Sequence, residues 1–244
     1  MSFSDVWDFG FQKLIFSTYE LSITHECLLI VVGVIICMLS GYLIGSISPS
    51  IIISAKYYND DIRRHGSGNA GMTNVMRTYG KKMAAITFGG DFIKAVISTL
   101  IGRLVFGYYG ALLAGFFCFL GHIFPCYYKF KGGKGVVTAC GLMVMTDPLI
   151  CLKLLLLFVV IVAVTKYISA GSVICMLVYS VQMYNKYNPF NMGIPTLTAF
   201  AMGLLCAFAH RENLKRIFKG EERKFTFKVK DKKPVGEDTA ESEE

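Results

Sequence analysis

The chain has 244 residues, of which 54% are hydrophobic and only 17% are charged, and its formal net charge is +8. A soluble domain usually has about a quarter of its residues charged, so this composition argues against an ordinary soluble protein. The basic residues flank long apolar blocks, which indicates membrane orientation and anionic headgroups, rather than nucleic acid, as their role.

The apolar blocks predict an all-α integral membrane protein with seven transmembrane helices, some of them short or broken. The blocks are continuous, whereas strands of a membrane barrel would alternate. A tight turn at 107–110 separates the second and third spans, and segment 51–58 is predicted to be interfacial or re-entrant. The fourth span is too short to cross comfortably, so we expect a tilted or broken helix. The predicted spans are 27–45, 84–106, 109–125, 136–146, 149–165, 168–184 and 193–209.

Charge asymmetry determines the predicted orientation. Residues 47–83 hold six Lys or Arg, 127–134 hold three and 210–233 hold ten, whereas the N-terminal arm has only Lys13. Loops rich in Lys and Arg stay in the cytoplasm, so seven crossings place the N-terminus outside and the C-terminus inside, with Lys186 as one exception. We therefore expect an extracytoplasmic arm at 1–26, a membrane domain at 27–222 and a basic, then acidic, disordered tail at 223–244.

The polar stretch 66–77 combines glycines, amides and an arginine in a pattern suited to phosphate. Its glycines permit positive φ angles, and successive N–H groups in such turns can form a nest for an anion. The arginine adds a fork-shaped cation that matches phosphate oxygens. The alternative is a glycine-rich surface loop with orientation charges. The residues that favour a binding site are Gly66, Ser67, Gly68, Asn69, Asn74 and Arg77.

The stretch 131–135 precedes the fourth predicted helix. A glycine nest and a helix N-terminus would both favour an anion there, with a lysine as the point charge. The stretch lacks the Walker A pattern of nucleotide triphosphatases. The alternative is a flexible cytoplasmic turn, and the nearby His122 fits a structural role as well as a catalytic one. The candidate phosphate ligands are Gly132, Gly133, Lys134 and Gly135.

Two further pairs of polar residues lie at the end of a span or inside one. His210 and Asn213 are three residues apart, so they share a helix face and can point at one site, although a snorkelling helix end is the alternative. Asp91 and Lys94 lie inside the second predicted span, where ionisable groups are costly and usually paired or functional. Pairing with each other and contact with a substrate both stay open.

The eight cysteines form no CxxC pair and show no His spacing for zinc. Most of them lie inside apolar blocks, where cysteine behaves as a small buried hydrophobic residue. We therefore expect no disulfide, metal or cofactor. The serine-hydrolase and zinc-protease motifs are missing as well, so the pattern alone does not support covalent catalysis.

Three motifs in order resemble those of the PlsY family, the bacterial acyl-phosphate:glycerol-3-phosphate acyltransferases. They are GSGNAGMTNVMR at 66–77, GHIFP with FKGGKG between 121 and 135, and HREN with KGEE between 210 and 222. The resemblance covers about 45–221. It departs from the family pattern at Ser48, an insertion in the usual Gly-Ser-Ile-Pro, and at Ala95, which stands where the family has glycine.

The resemblance implies transfer of an acyl group from acyl phosphate to the 1-hydroxyl of glycerol 3-phosphate, giving lysophosphatidic acid and phosphate. It implies a seven-helix protein of the bacterial cell membrane with its active site facing the cytoplasm, without CoA, acyl carrier protein or metal. The catalytic residues would be Ser67, Arg77, His210 and Asn213, with Lys134 on a phosphate. The base would be His210 or a substrate phosphate oxygen, and a monomer is compatible. Apart from the resemblance, we expect Asp91 and His122 to be supporting residues and Lys94 to be a further substrate contact.

Two other classes of protein stay open at this point. A transporter of phosphorylated metabolites would use broken helices and anion-binding loops, and would need a site open to both faces. A membrane scaffold that binds anionic lipid would need basic clusters, but not the particular Ser, Asn and Gly positions. The membrane lipid surface is an expected partner in each case.

Overall fold

In the computed structural model, the described residues are 10–13, 15, 16, 22–187, 193–226 and 232. Within them every regular element from Ile23 onward is helical, which confirms the all-α prediction. Most of the predicted arm at 1–26, and residues 227–231 and 233–244 of the predicted tail, lie outside the described residues. The α-helices are α1 Ile23–Ser46, α2 Pro49–Tyr58, α3 Met72–Tyr79, α4 Lys81–Ile123, α5 Val136–Thr146, α6 Pro148–Thr165, α7 Ile168–Tyr187, α8 Ile194–Ala209 and α9 Arg211–Phe218.

Several helices are long and apolar enough to cross a membrane. Among the described residues these are the segments Ile23–Tyr58, Lys81–Tyr128 and Pro148–Thr165. The pair α8 and α9 adds a fourth if it is counted as one span bent by 58°. This agrees with an integral membrane protein, while the count of seven crossings stays a prediction.

Helix α4 folds back on itself. Phe106 (φ −128°) and Gly107 (φ 58°) interrupt its helical geometry, and glycine adopts this positive φ without a Cβ clash. Asp91 before the break lies against His122 near the end, and Gly102 lies against Gly110, so the two arms run antiparallel. Two antiparallel helical arms therefore stand where the spans 84–106 and 109–125 were predicted, while their crossing of the membrane stays a prediction. The turn lies at 106–107, because residues 108–110 already belong to the second arm.

Helix α1 packs parallel to the second arm of α4 through its glycines. A Cβ on Gly41 would meet Ala114, and a Cβ on Gly45 would meet Cys118, four residues further along each helix. Small residues let helix backbones approach this closely in a membrane. The C-terminal ends of α1 and α4 therefore lie at the same end of the bundle, together with α2, α3 and the loop after α4.

The opposite end of the bundle is held by polar contacts among the later helices. The Tyr108 hydroxyl donates to Asp147 at 3.0 Å, and Lys186 pairs with the same carboxylate. Helices α7 and α8 run antiparallel, since the Ser180 hydroxyl donates to the Ala199 carbonyl at 2.9 Å, whereas the earlier Thr196 of α8 donates to the later Met183 of α7 at 3.5 Å. The end of α8 and the start of α9 thus return to the end of the bundle that carries the glycine-rich loops.

Candidate active site

One cavity of about 360 Å³ brings the three predicted motifs together. Five predicted positions do not line it: Gly66, Gly68, Lys94, Gly132 and Gly133. The other predicted site residues do line it. The cavity is also lined by Glu222, to which the sequence analysis assigned no role. The polar lining of the cavity includes Ser67, Asn69, Asn74, Arg77, Asp91, His122, Lys134, Gly135, His210, Asn213 and Glu222.

Asn74, at the start of α3, shapes the first loop. Its Nδ2 donates to the carbonyl oxygens of His65 at 2.9 Å and Asn69 at 3.1 Å, and its Oδ1 accepts from the N–H of Ser67 at 3.0 Å. Gly66 has φ 58° at the turn that this side chain fills. Both ends of the amide are therefore engaged in the loop, which favours a positioning role for Asn74 over direct phosphate contact.

The second loop returns to the end of α4. The N–H groups of Gly132 and Gly133 donate to the carbonyls of Ile123 at 3.2 Å and His122 at 3.0 Å. These carbonyls are the unpaired acceptors of a helix C-terminus, so the two N–H groups are used inside the protein. The anion nest expected from them is not met by this geometry. Glycine at 133 is required instead by close packing, because a Cβ would lie 2.8 Å from the Ala70 carbonyl oxygen.

The anion-binding features of the second loop lie just after Gly133, at Lys134 and at the N-terminus of α5. Gly135 has φ 81° and immediately precedes α5, and Val136 and Val137 lie in the first turn of that helix and line the cavity. The first N–H groups of a helix have no partner within it and favour an anion. Lys134 stands beside them, and burial lowers the pKa of its amine to about 8.

A buried chain of hydrogen bonds connects Lys134 to the third motif. Lys134 donates to Oδ1 of Asn213, and Nδ2 of Asn213 donates to Glu222 at 2.6 Å. The same carboxylate accepts from Ser169 at 3.0 Å and from Arg216 at 2.8 Å. Burial would raise the pKa of Glu222, but these donors outweigh it and lower the pKa. Glu222 is therefore ionised, and its carboxylate holds Asn213 and, through Asn213, Lys134.

His210 lies buried at the end of α8 and faces the cavity. Its Nδ1 lies 2.8 Å from the Cys206 carbonyl oxygen, which can only accept. The ring proton is therefore on Nδ1, and Nε2 is an acceptor. Burial and the nearby Lys134 lower the pKa of His210 to about 4, so the ring is neutral at pH 7.

Arg77 reaches the cavity from α3. Burial lowers the pKa of its guanidinium, but arginine stays charged in proteins. Its Nη2 donates to the Arg223 carbonyl oxygen at 3.4 Å. Arg77 and Lys134 thus bring two cations to one end of the cavity.

The Asp91–Lys94 pair lies beneath these groups, buried in α4. Lys94 Nζ is 2.8 Å from Asp91, 3.0 Å from His122 Nδ1 and 2.6 Å from the Ile47 carbonyl oxygen. Of the two alternatives for Lys94, mutual pairing is therefore the one observed. The His122 carbonyl accepts from the N–H of Gly133 in the second loop. The cluster of Asp91, Lys94 and His122 therefore helps to hold this loop in place.

The cavity continues from its cationic end into an apolar chamber between α4, α5, α6 and α7. An occupant that matches both parts has an anionic head and a hydrocarbon chain. Among the described residues, no group of three His, Cys, Asp or Glu is placed to hold a metal ion. The apolar lining includes Phe88, Phe92, Val136, Cys140, Met143, Cys151, Leu154, Phe158, Cys175 and Met176.

Known proteins resemble the chain over most of its length. The glycerol-3-phosphate acyltransferase family model matches residues 35–220. A glycerol-3-phosphate acyltransferase of Finegoldia magna is 42% identical over 199 residues, covering 80% of this chain and 96% of the relative. One of Clostridioides difficile is 39% identical over 199 residues, covering 78% and 94%.

Two solved structures have the same fold. The crystal structure of PlsY (YgiH), an integral membrane glycerol 3-phosphate acyltransferase, in its glycerol 3-phosphate form is 32% identical with a TM-score of 0.73, covering 79% of this chain and 96% of that one. Its lysophosphatidic acid form is 33% identical with a TM-score of 0.70, covering 80% and 96%. This chain belongs to the glycerol-3-phosphate acyltransferase family and is an acyltransferase of the PlsY type.

Proposed function

We propose that this protein transfers an acyl group from acyl phosphate to the 1-hydroxyl of sn-glycerol 3-phosphate, giving lysophosphatidic acid and inorganic phosphate. The observation that carries the proposal is the single cavity that joins a cationic end to an apolar chamber. An acyl phosphate has both parts, and its acyl chain fits among the membrane helices. The glycerol 3-phosphate and lysophosphatidic acid forms of the similar solved structures support the acceptor and the product.

Two cationic positions suit two phosphates. Lys134 and the first N–H groups of α5 hold one phosphate, as a helix N-terminus does. Arg77 and the Ser67 hydroxyl hold the other and the oxyanion that develops on the acyl carbonyl. Asn213 and His210 orient the acceptor. Glu222 keeps Asn213 in place through the bond at 2.6 Å.

The reaction is a direct transfer. The 1-hydroxyl oxygen of the acceptor forms a bond to the acyl carbonyl carbon, and the bond from that carbon to the phosphate oxygen breaks. The phosphate leaves with the bonding electron pair. An acyl phosphate is a mixed anhydride with a good leaving group, so positioning and charge stabilisation supply the catalysis. The hydroxyl proton passes to Nε2 of His210, the acceptor left by the Nδ1 contact to Cys206, with a substrate phosphate oxygen as the alternative base.

The membrane arrangement is part of the proposal. Seven crossings place the N-terminus outside and the C-terminus in the cytoplasm of a bacterial cell, with the site on the cytoplasmic face. The parallel packing of α1 on the second arm of α4 supports this, since it places their C-terminal ends together. Within the described residues, the Lys and Arg clusters at 47–83, 127–134 and 210–226 belong to that end. A monomer is compatible with this arrangement, because one chain supplies the described lining of the cavity, and the proposed reaction uses no metal or cofactor.

A reconstituted assay tests the proposal. Purified protein receives acyl phosphate and radiolabelled glycerol 3-phosphate, and lysophosphatidic acid is separated and counted. We expect product with acyl phosphate and none with acyl-CoA. Product from acyl-CoA but not from acyl phosphate would overturn the assignment of the donor. Protease digestion of sealed vesicles, which cuts exposed tails on the accessible side only, tests the orientation separately.

A further inference from the structure

A short segment after α9 crosses the cationic end of the site. Residues 222–226, here called the strap, follow the last residue matched by the family model, which is 220. At its start, Glu222 accepts from Ser169 on α7 at 3.0 Å and from Asn213 on α9 at 2.6 Å. One residue later, the Arg223 carbonyl oxygen lies 3.4 Å from Nη2 of Arg77 on α3. The strap therefore touches groups on both sides of the cavity.

Phe225 anchors the strap at its far end. Its N–H donates to the Lys166 carbonyl oxygen, between α6 and α7, at 2.7 Å. Its half-buried ring packs against an apolar cluster on α2, α3 and the start of α4. This cluster consists of Ile51, Ile53, Tyr58, Ile62, Ala70, Val75, Met76, Tyr79, Met83 and Ala84.

A second contact lies on the same side of the molecule. The Tyr58 hydroxyl donates to the Lys232 carbonyl oxygen at 3.0 Å, and the Lys232 N–H donates to the Tyr79 carbonyl oxygen at 3.2 Å. The Lys232 amine lies 5.8 Å from each of the two stacked tyrosine rings. A cation over an aromatic face is attractive, so Lys232 is held to the α2–α3 side as well.

We propose that Phe225 is a positioning residue for the binding of glycerol 3-phosphate. By anchoring the strap, it keeps the Arg223 carbonyl on the Arg77 guanidinium and the Glu222 carboxylate on Asn213. In this proposal Arg77 holds the phosphate of the acceptor and Asn213 orients the acceptor, so the strap holds both groups from the cytoplasmic side. This inference rests on the proposed function for the identity of the acceptor, while its geometric basis is independent of the donor.

The experiment compares Phe225→Ala with wild-type protein, full length and purified. Calorimetric titration with glycerol 3-phosphate measures the dissociation constant, and steady-state assays measure KM and kcat. We expect the dissociation constant and KM to rise about tenfold, as the loss of roughly half the burial of a phenylalanine ring implies. We expect kcat to change less than about threefold. Phe225→Leu, which keeps an apolar anchor, should restore most of the affinity.

Phe218 provides the matched control, because its ring is 89% exposed at the end of α9. Phe218→Ala should leave the dissociation constant, KM and kcat unchanged. A merely structural role for Phe225 would lower kcat through loss of folded enzyme and leave KM unchanged, and that result would overturn the proposal, as would wild-type affinity in Phe225→Ala. If wild-type protein binds glycerol 3-phosphate but does not use acyl phosphate, the donor assignment fails while the titrations still decide the strap. If it does not bind glycerol 3-phosphate, both fail.

Discussion

Nδ1 of His210 lies 2.8 Å from the carbonyl oxygen of Cys206, one helical turn earlier. This contact fixes the tautomer and leaves Nε2 of His210, a residue that lines the cavity, as an acceptor. A base needs its neutral form, and the pKa of His210 is lowered from 6.5 to about 4. The neutral form is therefore present above pH 4 and lost as the pH falls through that value. If His210 had an ordinary pKa, its neutral form, and with it the activity of the enzyme, would already decline below about pH 6.5.

The first prediction concerns this base. We expect kcat to stay level from pH 7 down to about pH 5 and to fall toward pH 4. His210→Ala should lower kcat by about a hundredfold or more, as removal of a general base does. Rapid assays over this pH range, with intact protein verified after each exposure, provide the test. Near-normal kcat in His210→Ala would assign the proton to a phosphate oxygen instead.

The second prediction concerns the charge on Lys134. Its pKa is lowered from 10.5 to about 8, so the ammonium that attracts phosphate is lost as the pH rises through 8. The substrate phosphates are already ionised at that pH, since the second pKa of a phosphate monoester is about 6. We expect kcat/KM to decline above pH 8 in wild-type protein and in the control Lys131→Arg. In Lys134→Arg the decline should disappear, because arginine keeps its charge. An unchanged decline in Lys134→Arg would show that another group is responsible.

The third prediction concerns Gly133. A Cβ there would meet His122 and the Ala70 carbonyl oxygen, whereas a Cβ on Gly89 meets nothing within 4 Å. We expect Gly133→Ala to displace the second loop and to lower the free energy of unfolding of the protein by about 1–3 kcal/mol, as overpacking does. We also expect at least a tenfold loss of kcat/KM. Gly89→Ala should leave both unchanged. Equal activities of the two variants, measured with their unfolding temperatures, would contradict the account of the loop.

Sequence predicted the helical class and the gathering of the three motifs well, because both depend on local signals. Apolar length defines the helices, and Pro49 and Gly107 mark breaks that backbone sterics impose. Local signals do not predict the direction in which the N–H groups of Gly132 and Gly133 point. It depends on the carbonyls at the end of α4, which the chain reaches only by turning back.

The fourth prediction concerns Glu222. Its buried carboxylate accepts from Ser169, Asn213 and Arg216. In Glu222→Gln an amide would face these donors, and an unsatisfied buried group costs about 1–3 kcal/mol. We expect a lower unfolding temperature and reduced activity. Glu221→Gln, at the exposed neighbouring residue, is the control and should behave as wild type. Equal unfolding temperatures for the two variants would rule out the holding role of Glu222.

Glu222 also illustrates why part of the site escaped prediction. An acidic residue at the start of a charged tail has the sequence signature of a solvated residue. In the fold its carboxylate is buried and accepts from Ser169, which is 53 positions away, and no local periodicity encodes such a contact. The motif letters KGEE were visible, but their role emerges only from packing.

The fifth prediction concerns Ser67. Its N–H donates to Oδ1 of Asn74 at 3.0 Å, and Ser67 lines the cavity. In direct transfer this hydroxyl contacts a phosphate or the oxyanion and never carries the acyl group. Ser67→Ala should lower kcat by about a hundredfold, as loss of an oxyanion donor does. Mass spectrometry of wild-type protein quenched during turnover should find no acylated Ser67. An acyl group on this residue, formed and discharged at the rate of turnover, would contradict direct transfer.

The release of phosphate tests the central claim most directly. Purified protein is supplied with acyl phosphate, with and without glycerol 3-phosphate, and phosphate and lysophosphatidic acid are followed together. We expect one phosphate for each lysophosphatidic acid, and almost no phosphate when the acceptor is omitted. Lysophosphatidic acid that forms without equivalent phosphate, or rapid phosphate release without the acceptor, would contradict acyl transfer between two phosphorylated substrates in one cavity.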